Sequence, residues 1–191
     1  MSEYELISLL QQKDEKAFAE LFRQYSGLVY NTALGLVQNQ QEAEDLVQEV
    51  FVSVLQYVSD FRGDSSLKTW IYRLTISSSL DYLRAQKRQK RGSMFSFLSF
   101  RNEESWMHQP DFNHPGVQLE NKERASILFK AISQLLENQK VAFTLSKLED
   151  KSYQEIADIM ECTVSSVESL LHRARQKLRK LLGKYYEQDR K

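Results

Sequence analysis

Between residues 14 and 60 the apolar side chains recur at steps of three and four, and this period dictates helix rather than strand. Phe18, Leu21, Phe22, Tyr25, Leu28, Val29 and Leu36 lie on one helical face, and Ala43, Leu46, Val47, Val50, Phe51 and Val54 on another. A strand would throw neighbouring members of either set to opposite sides. Asp14 is a good N-cap for the first of these helices. Asn39 can cap the second, with Glu42 three residues on as in a capping box. A short helix over Glu3 to Gln11 precedes them. A fourth begins at Ser65 or Ser66 and runs through Trp70, Ile71, Leu74 and Leu83 to about Arg91. Ser77 to Ser79 sit inside it and lower its intrinsic propensity, so something else must hold them there.

Residues 92–118 break the pattern. Both prolines, Pro110 and Pro115, fall here with Gly92 and Gly116. The segment also carries Phe95, Phe97, Phe100, Trp106 and Phe112, more apolar material than a plain spacer would hold. They either fold back on a domain or thread a partner protein. Helical spacing resumes over about 119–136, 138–148, 152–160 and 163–184. With only 6 Gly and 2 Pro in 191 residues, turn-formers are too few for an all-β fold. The expected class is all-α: two small helical domains, 1–91 and 119–191, joined by an irregular linker, 92–118, the second ending in a helix-turn-helix.

The C-terminal half carries that motif. Ser152 caps a short helix from Tyr153 to Ile159, Met160-Glu161-Cys162 provides a turn, and Thr163 caps the next helix. Ala157 is small where the two helices would cross. In the second helix Val164, Val167, Leu171, Ala174 and Leu178 fall on one buried face. That leaves Ser165, Ser166, Glu168, Ser169, His172 and Arg173 outward, groups able to read base edges in a major groove. Arg175, Lys177, Arg179, Lys180 and Lys184 follow with no acid among them, which suits phosphate contacts. Cations also favour any helix C-terminus, so the basic run alone would not distinguish a DNA reader.

The formal net charge of zero hides a polarity along the chain. Residues 1–60 carry 3 basic and 10 acidic side chains, residues 61–91 carry 8 basic and 2 acidic, and 172–184 carry 6 basic and none acidic. Two basic segments fit nucleic acid; the acidic one needs another partner or none. The single cysteine, Cys162, excludes an internal disulfide and cannot alone build a zinc site. His108, His114 and His172 are scattered, and no Gly-rich phosphate loop or ligand cluster appears, so neither an enzyme nor a cofactor is expected. The start, Met1-Ser2-Glu3-Tyr4-Glu5, lacks a signal-peptide pattern, and no apolar run approaches a bilayer's thickness. A cytoplasmic protein is expected.

Four segments in order now resemble a known family. They are Asp45-Leu46-Val47-Gln48-Glu49-Val50-Phe51, Thr69-Trp70-Ile71-Tyr72-Arg73-Leu74, Ser152-Tyr153-Gln154-Glu155-Ile156-Ala157, and Val167-Glu168-Ser169-Leu170-Leu171-His172-Arg173-Ala174-Arg175. Together they resemble regions 2 and 4 of extracytoplasmic-function (ECF) sigma factors, covering nearly all of the chain outside 92–118. The resemblance implies a transcription initiation factor whose partners are core RNA polymerase, promoter DNA and an anti-sigma factor, with no small-molecule substrate. It implies that Asp45, Gln48 and Glu49 dock on the clamp helices of the polymerase largest subunit. The Trp70 helix would be the promoter-melting segment, with Ser77, Arg84, Lys87 and Arg88 on the −10 DNA. Trp70 itself lies on the apolar stripe, which favours core packing for it. Ser165, Ser166, Glu168, Ser169, His172, Arg173 and Arg175 would meet the −35 element.

Two positions depart from the family. Many members have an Asn where this chain has Ser77, a side chain with fewer hydrogen-bonding sites for a flipped base. Many have Leu-Pro where this chain has Leu135-Leu136, which should alter only a helix start. The competing class is a stand-alone helix-turn-helix regulator, which would need no polymerase-docking motif and would bind duplex DNA alone, usually as a dimer.

Overall fold

The structure, a computed structural model, describes residues 2–96 and 122–188, with side chains over 2–89 and 126–183. Eight helices are described: α1 Glu3–Gln11, α2 Glu15–Val37, α3 Gln40–Tyr57, α4 Leu67–Ser96, α5 Lys122–Ser133, α6 Glu137–Lys147, α7 Tyr153–Met160 and α8 Val164–Gln188. A 3-10 turn at Val58–Asp60 links α3 to the loop before α4. Among the described residues there is no strand, so the all-α expectation holds.

The predicted caps form in α2 and α3. Asp14 Oδ1 accepts from the Ala17 N–H at 2.8 Å, and Asn39 Oδ1 from the Glu42 N–H at 3.1 Å. Each such cap contributes about 1 kcal/mol. Only the Asn39 side-chain half of the expected capping box forms; the Glu42 carboxylate acts on Tyr82 of α4 and helps, after burial, to raise its phenol. In the N-terminal half α2 packs on α3 and α4, and α1 lies on α2. Leu21, Val29, Val50, Val54, Leu67 and Ile71 are fully enclosed there. Burial of each such side chain stabilises the fold by about 1.5–3 kcal/mol, which outweighs any single cap.

Of the serines in α4, Ser79 is held, with Thr75, by hydrogen bonding back along the helix. Thr75 Oγ1 donates to the Ile71 carbonyl at 2.8 Å and Ser79 Oγ to the Thr75 carbonyl at 2.7 Å, both without solvent. α4 runs on through Gly92 to Ser96, past the end expected near Arg91, and α5 is described from Lys122. Phe97, Phe100, Trp106 and Phe112 lie outside the described residues, as does the side chain of Phe95. The expectations attached to those aromatics lie there too.

In the C-terminal half α5, α6 and α7 all pack on α8. Phe129, Ile132, Ala174 and Leu178 form one core; Val141, Ala142, Leu145, Ile156, Val167 and Leu171 belong to another. That second core also takes in Leu36, Tyr72 and Leu80 from the N-terminal half. The two halves are therefore packed together, α2 against α6 and α4 against α7. Gly35 permits the approach: a Cβ there would stand 2.7 Å from Thr144 Cγ2 and 3.0 Å from Leu148 Cδ1.

Candidate nucleic-acid interface

The helix-turn-helix is built by local hydrogen bonds that the sequence specifies. The Ser152 hydroxyl accepts from the Glu155 N–H at 3.2 Å, and the Glu155 carboxylate accepts from the Ser152 N–H at 2.8 Å. These bonds hold the Glu155 carboxyl below its usual range, the Ser152 backbone contributing most. α7 ends at Met160, one residue later than the turn expected from sequence. Glu161 then takes a left-handed conformation, φ 52° and ψ 47°, where glycine is usual. The Cys162 N–H donates to the Ala157 carbonyl at 3.0 Å and closes the turn. Thr163 Oγ1 caps α8 through the Ser166 N–H at 3.1 Å.

α8 then presents two faces. Val167, Leu171 and Ala174 are fully enclosed and Leu178 nearly so, as the spacing predicts. Ser165, Ser166, Glu168, Ser169, His172, Arg173 and Arg175 are all exposed. Within that set the structure separates roles. The Ser166 hydroxyl lies 2.9 Å from the Thr163 hydroxyl and belongs to the cap. Arg175 donates to the Tyr153 hydroxyl at 3.1 Å, tying α8 to the start of α7. Lys177 donates to the Gln134 carbonyl just past the end of α5. Glu168, Ser169, His172 and Arg173 make the outward patch, with Arg179 and Lys180 exposed farther along.

On the N-terminal half Asp45, Gln48 and Glu49 are all exposed on α3, while Leu46, Val47 and Val50 turn inward. Farther along the same helix stand Val52, 63 % exposed, and Leu55, 39 % exposed. The sequence reading passed over this pair. The available signal was Val52, an apolar residue that falls off the Val47–Val50–Val54 stripe. Val52 and Leu55 thus continue the polar cluster with exposed apolar surface.

The basic face of α4 is partly engaged. Ser77, Lys87 and Arg88 are exposed. Arg84 is exposed too, yet its guanidinium donates to Glu137 Oε2 at 2.7 Å and to Asp81 Oδ1 at 3.2 Å. The bond to Arg84 lowers the Glu137 carboxyl below its ordinary range. Trp70 is half-buried with its ring centroid 5.1 Å from that of Phe61, as its place on the apolar stripe implies. Tyr72 is buried, and its hydroxyl donates to Glu149 at 3.2 Å. Burial above all pushes that phenol up, well beyond the usual tyrosine range. Among the described residues no cluster of His, Cys, Asp or Glu could hold a metal ion, and no helix is long and apolar enough to cross a membrane.

Comparison with known proteins gives a consistent answer. Residues 21–89 match the family profile of Sigma-70 region 2, and residues 125–178 match that of Sigma-70, region 4. The ECF RNA polymerase sigma-E factor of Haemophilus influenzae is 33 % identical over 176 residues, 92 % of this chain and 93 % of that protein. The ECF RNA polymerase sigma-E factor of Escherichia coli K12 is 34 % identical over 171 residues, 90 % and 89 % of the two chains. Among solved structures, CnrH in complex with the cytosolic domain of CnrY aligns with a TM-score of 0.65 at 18 % identity, covering 95 % of this chain and 97 % of that one. The sigma factor RpoE in complex with the anti-sigma factor NepR from Bartonella quintana aligns at 0.62 and 23 % identity, covering 88 % and 98 %. At those identities the two structures speak for the fold. With both profiles matched in order, and full-length relatives at a third identity, the chain belongs to the ECF RNA polymerase sigma factors, transcription initiation factors that are not enzymes.

Proposed function

We propose that this sigma factor divides its work between the two halves in a residue-specific way. Asp45, Gln48 and Glu49 dock on the core polymerase, extended by the apolar surface of Val52 and Leu55. Ser77, Arg84, Lys87 and Arg88 meet the −10 DNA. Glu168, Ser169, His172 and Arg173 read the −35 element in the major groove, with Ser165, Ser166, Arg175, Arg179 and Lys180 on the flanking backbone. Residues 1–91, 92–118 and 119–191 then correspond to a region 2 unit, a connecting segment and a region 4 unit. The protein works in the cytoplasm and answers to a signal through an anti-sigma factor, the kind of partner named for the Bartonella quintana structure.

The observation that carries this reading is the sorting of α8. Val167, Leu171 and Ala174 are sealed inward while Glu168, Ser169, His172 and Arg173 stand clear of the fold. An acid, a hydroxyl, an imidazole and a guanidinium at successive outward positions suit readout of base edges. Ser77 offers one hydroxyl, so −10 specificity draws on fewer hydrogen bonds than an amide would supply.

A polymerase pull-down paired with promoter-directed transcription tests the division. Arg173→Ala should leave core association intact and reduce promoter selection, by about 1–3 kcal/mol for a bidentate base contact. Asp45→Ala with Gln48→Ala should weaken core association. Identical behaviour of the two variants in the pull-down would refute the assignment.

A further inference from the structure

α8 is a cationic helix interrupted by one acid. From residue 162 to residue 186 the chain carries six Lys or Arg side chains and a single carboxylate, that of Glu168. This acid does not sit on a far side of the helix. It is exposed in the same outward patch as Ser169, His172 and Arg173, while Val167 and Leu171 beside it are sealed inward. A groove that receives the patch receives the carboxylate with it. Nothing in the fold engages that charge: among the described residues Glu168 makes no ion pair and no side-chain hydrogen bond. Arg175 and Lys177, farther along α8, are turned to the Tyr153 hydroxyl and the Gln134 carbonyl. Nor does Glu168 serve the helix start. Thr163 supplies the cap, and Glu168 is the fifth residue of α8, past the first turn, where an acid gains most from the helix dipole.

Resting on the −35 reading above, we propose that Glu168 is a specificity-determining residue that accepts a hydrogen bond from the N4 amino group of a cytosine. The −35 element of this protein's promoters then carries a C·G pair where it faces Glu168.

The choice of base follows from what an ionised carboxylate can do. It accepts hydrogen bonds and donates none. Brought against DNA it is repelled by every phosphate, so its favourable partners are N–H donors on base edges. The major groove offers two, cytosine N4 and adenine N6; guanine and thymine present acceptors there. Adenine N6 stands beside the N7 acceptor of the same ring, which repels a carboxylate. Cytosine N4 has no acceptor of its own base beside it on that edge. Arg173 has the opposite polarity, five donors and no acceptor, and so selects a different base pair.

Transcription by the full chain with core polymerase, from promoters randomised over the −35 region, tests the assignment. At one position the unmodified chain should favour cytosine over each other base by about five-fold or more, the least that one mismatched pair ordinarily costs. Glu168→Gln should transfer that preference to adenine, because a glutamine amide donates to N7 and accepts from N6. Preferences at the other positions should stand. Absence of a cytosine preference, or one that survives Glu168→Gln unchanged, would overturn the proposal. Arg173→Ala should flatten a different position. An effect of Arg173→Ala alone removes Glu168 and leaves the −35 reading standing; no effect of either variant on any −35 preference removes both.

A second measurement leaves the protein unaltered. N4-methylcytosine at the favoured position still pairs with guanine, but its methyl group replaces the N–H that faces the major groove. Transcription by the unmodified chain should fall by a similar factor, and the Glu168→Gln chain should show little further loss. Equal transcription of the methylated and unmethylated promoters by the unmodified chain would overturn the proposal by itself.

Discussion

The Ser152 hydroxyl and the Glu155 carboxylate each hold the other's backbone N–H, at 3.2 and 2.8 Å, and so fix where the helix-turn-helix begins. Ser152→Ala removes one half of this exchange and leaves a backbone donor at the helix start without its acceptor. Stability should fall by about 1 kcal/mol, read as a lower urea midpoint at unchanged slope. A midpoint equal to that of the unmodified chain would show that the cap contributes nothing.

Leu171 is fully enclosed between α8 and the rest of the C-terminal half. Leu171→Ala leaves a cavity and should cost about 2–5 kcal/mol, the largest effect among single truncations on α8. Thermal unfolding followed by circular dichroism measures it. His172→Ala, the exposed neighbour, should shift the transition little.

Val52 stands 63 % exposed on α3 beside the Asp45–Glu49 cluster. Val52→Asp should reduce core association about ten-fold, because a carboxylate would have to be desolvated at the centre of the proposed contact. Since Val52 supports no core in the free protein, the melting temperature should stay within a degree or two. A variant that binds core normally removes Val52 from the surface.

Lys140 is buried on α6, and burial, aided by the Lys87 charge, lowers its ammonium to about 8. An unfolded lysine titrates near 10.4. Below pH 8 both states keep the proton, and the buried charge weighs fully on the fold. Between about pH 8 and 10 the folded state sheds it while the unfolded state does not, so stability rises with pH, by about 1 kcal/mol from pH 7 to 9. Above pH 10 the raised phenols of Tyr72 and Tyr82, the latter at about 12, reverse the trend: the fold retains protons that the unfolded chain releases. Urea titrations at pH 7, 8 and 9 should show the rise, and Lys140→Met should abolish it.

Much of the fold is legible because its determinants are local. Asp14, Asn39, Ser152 and Thr163 act within three residues of themselves, and the apolar period of α2, α3 and α8 needs only a 3.6-residue repeat to be read. The outward face of α8 follows from the same period, since fixing Val167, Leu171 and Ala174 inside leaves Glu168, Ser169, His172 and Arg173 outside. Where the reading stopped short, the cause lies farther away in the chain. Glu42 leaves the capping box half-made, and its carboxylate acts on Tyr82, forty residues on, a neighbour that nothing near Asn39 announces. Arg175 also donates to the Tyr153 hydroxyl, a partner 22 residues back that its local sequence does not announce. Helix α4 continues through Gly92, whose cost of about 1 kcal/mol does not end a helix of that length.

From residues alone came the helices, their caps, the inward and outward faces of α8, and, through four motifs in order, the family. These rest on interactions a few residues long, which a linear string records directly. Tertiary structure alone decided that Gly35 meets Thr144, that Arg73 and Arg84 face Glu161 and Glu137, and that Tyr72 is buried against Glu149. Those pairs lie 53 or more residues apart, and a surface cation reads the same in sequence whether it faces water, a phosphate or a carboxylate from the other half of its own chain.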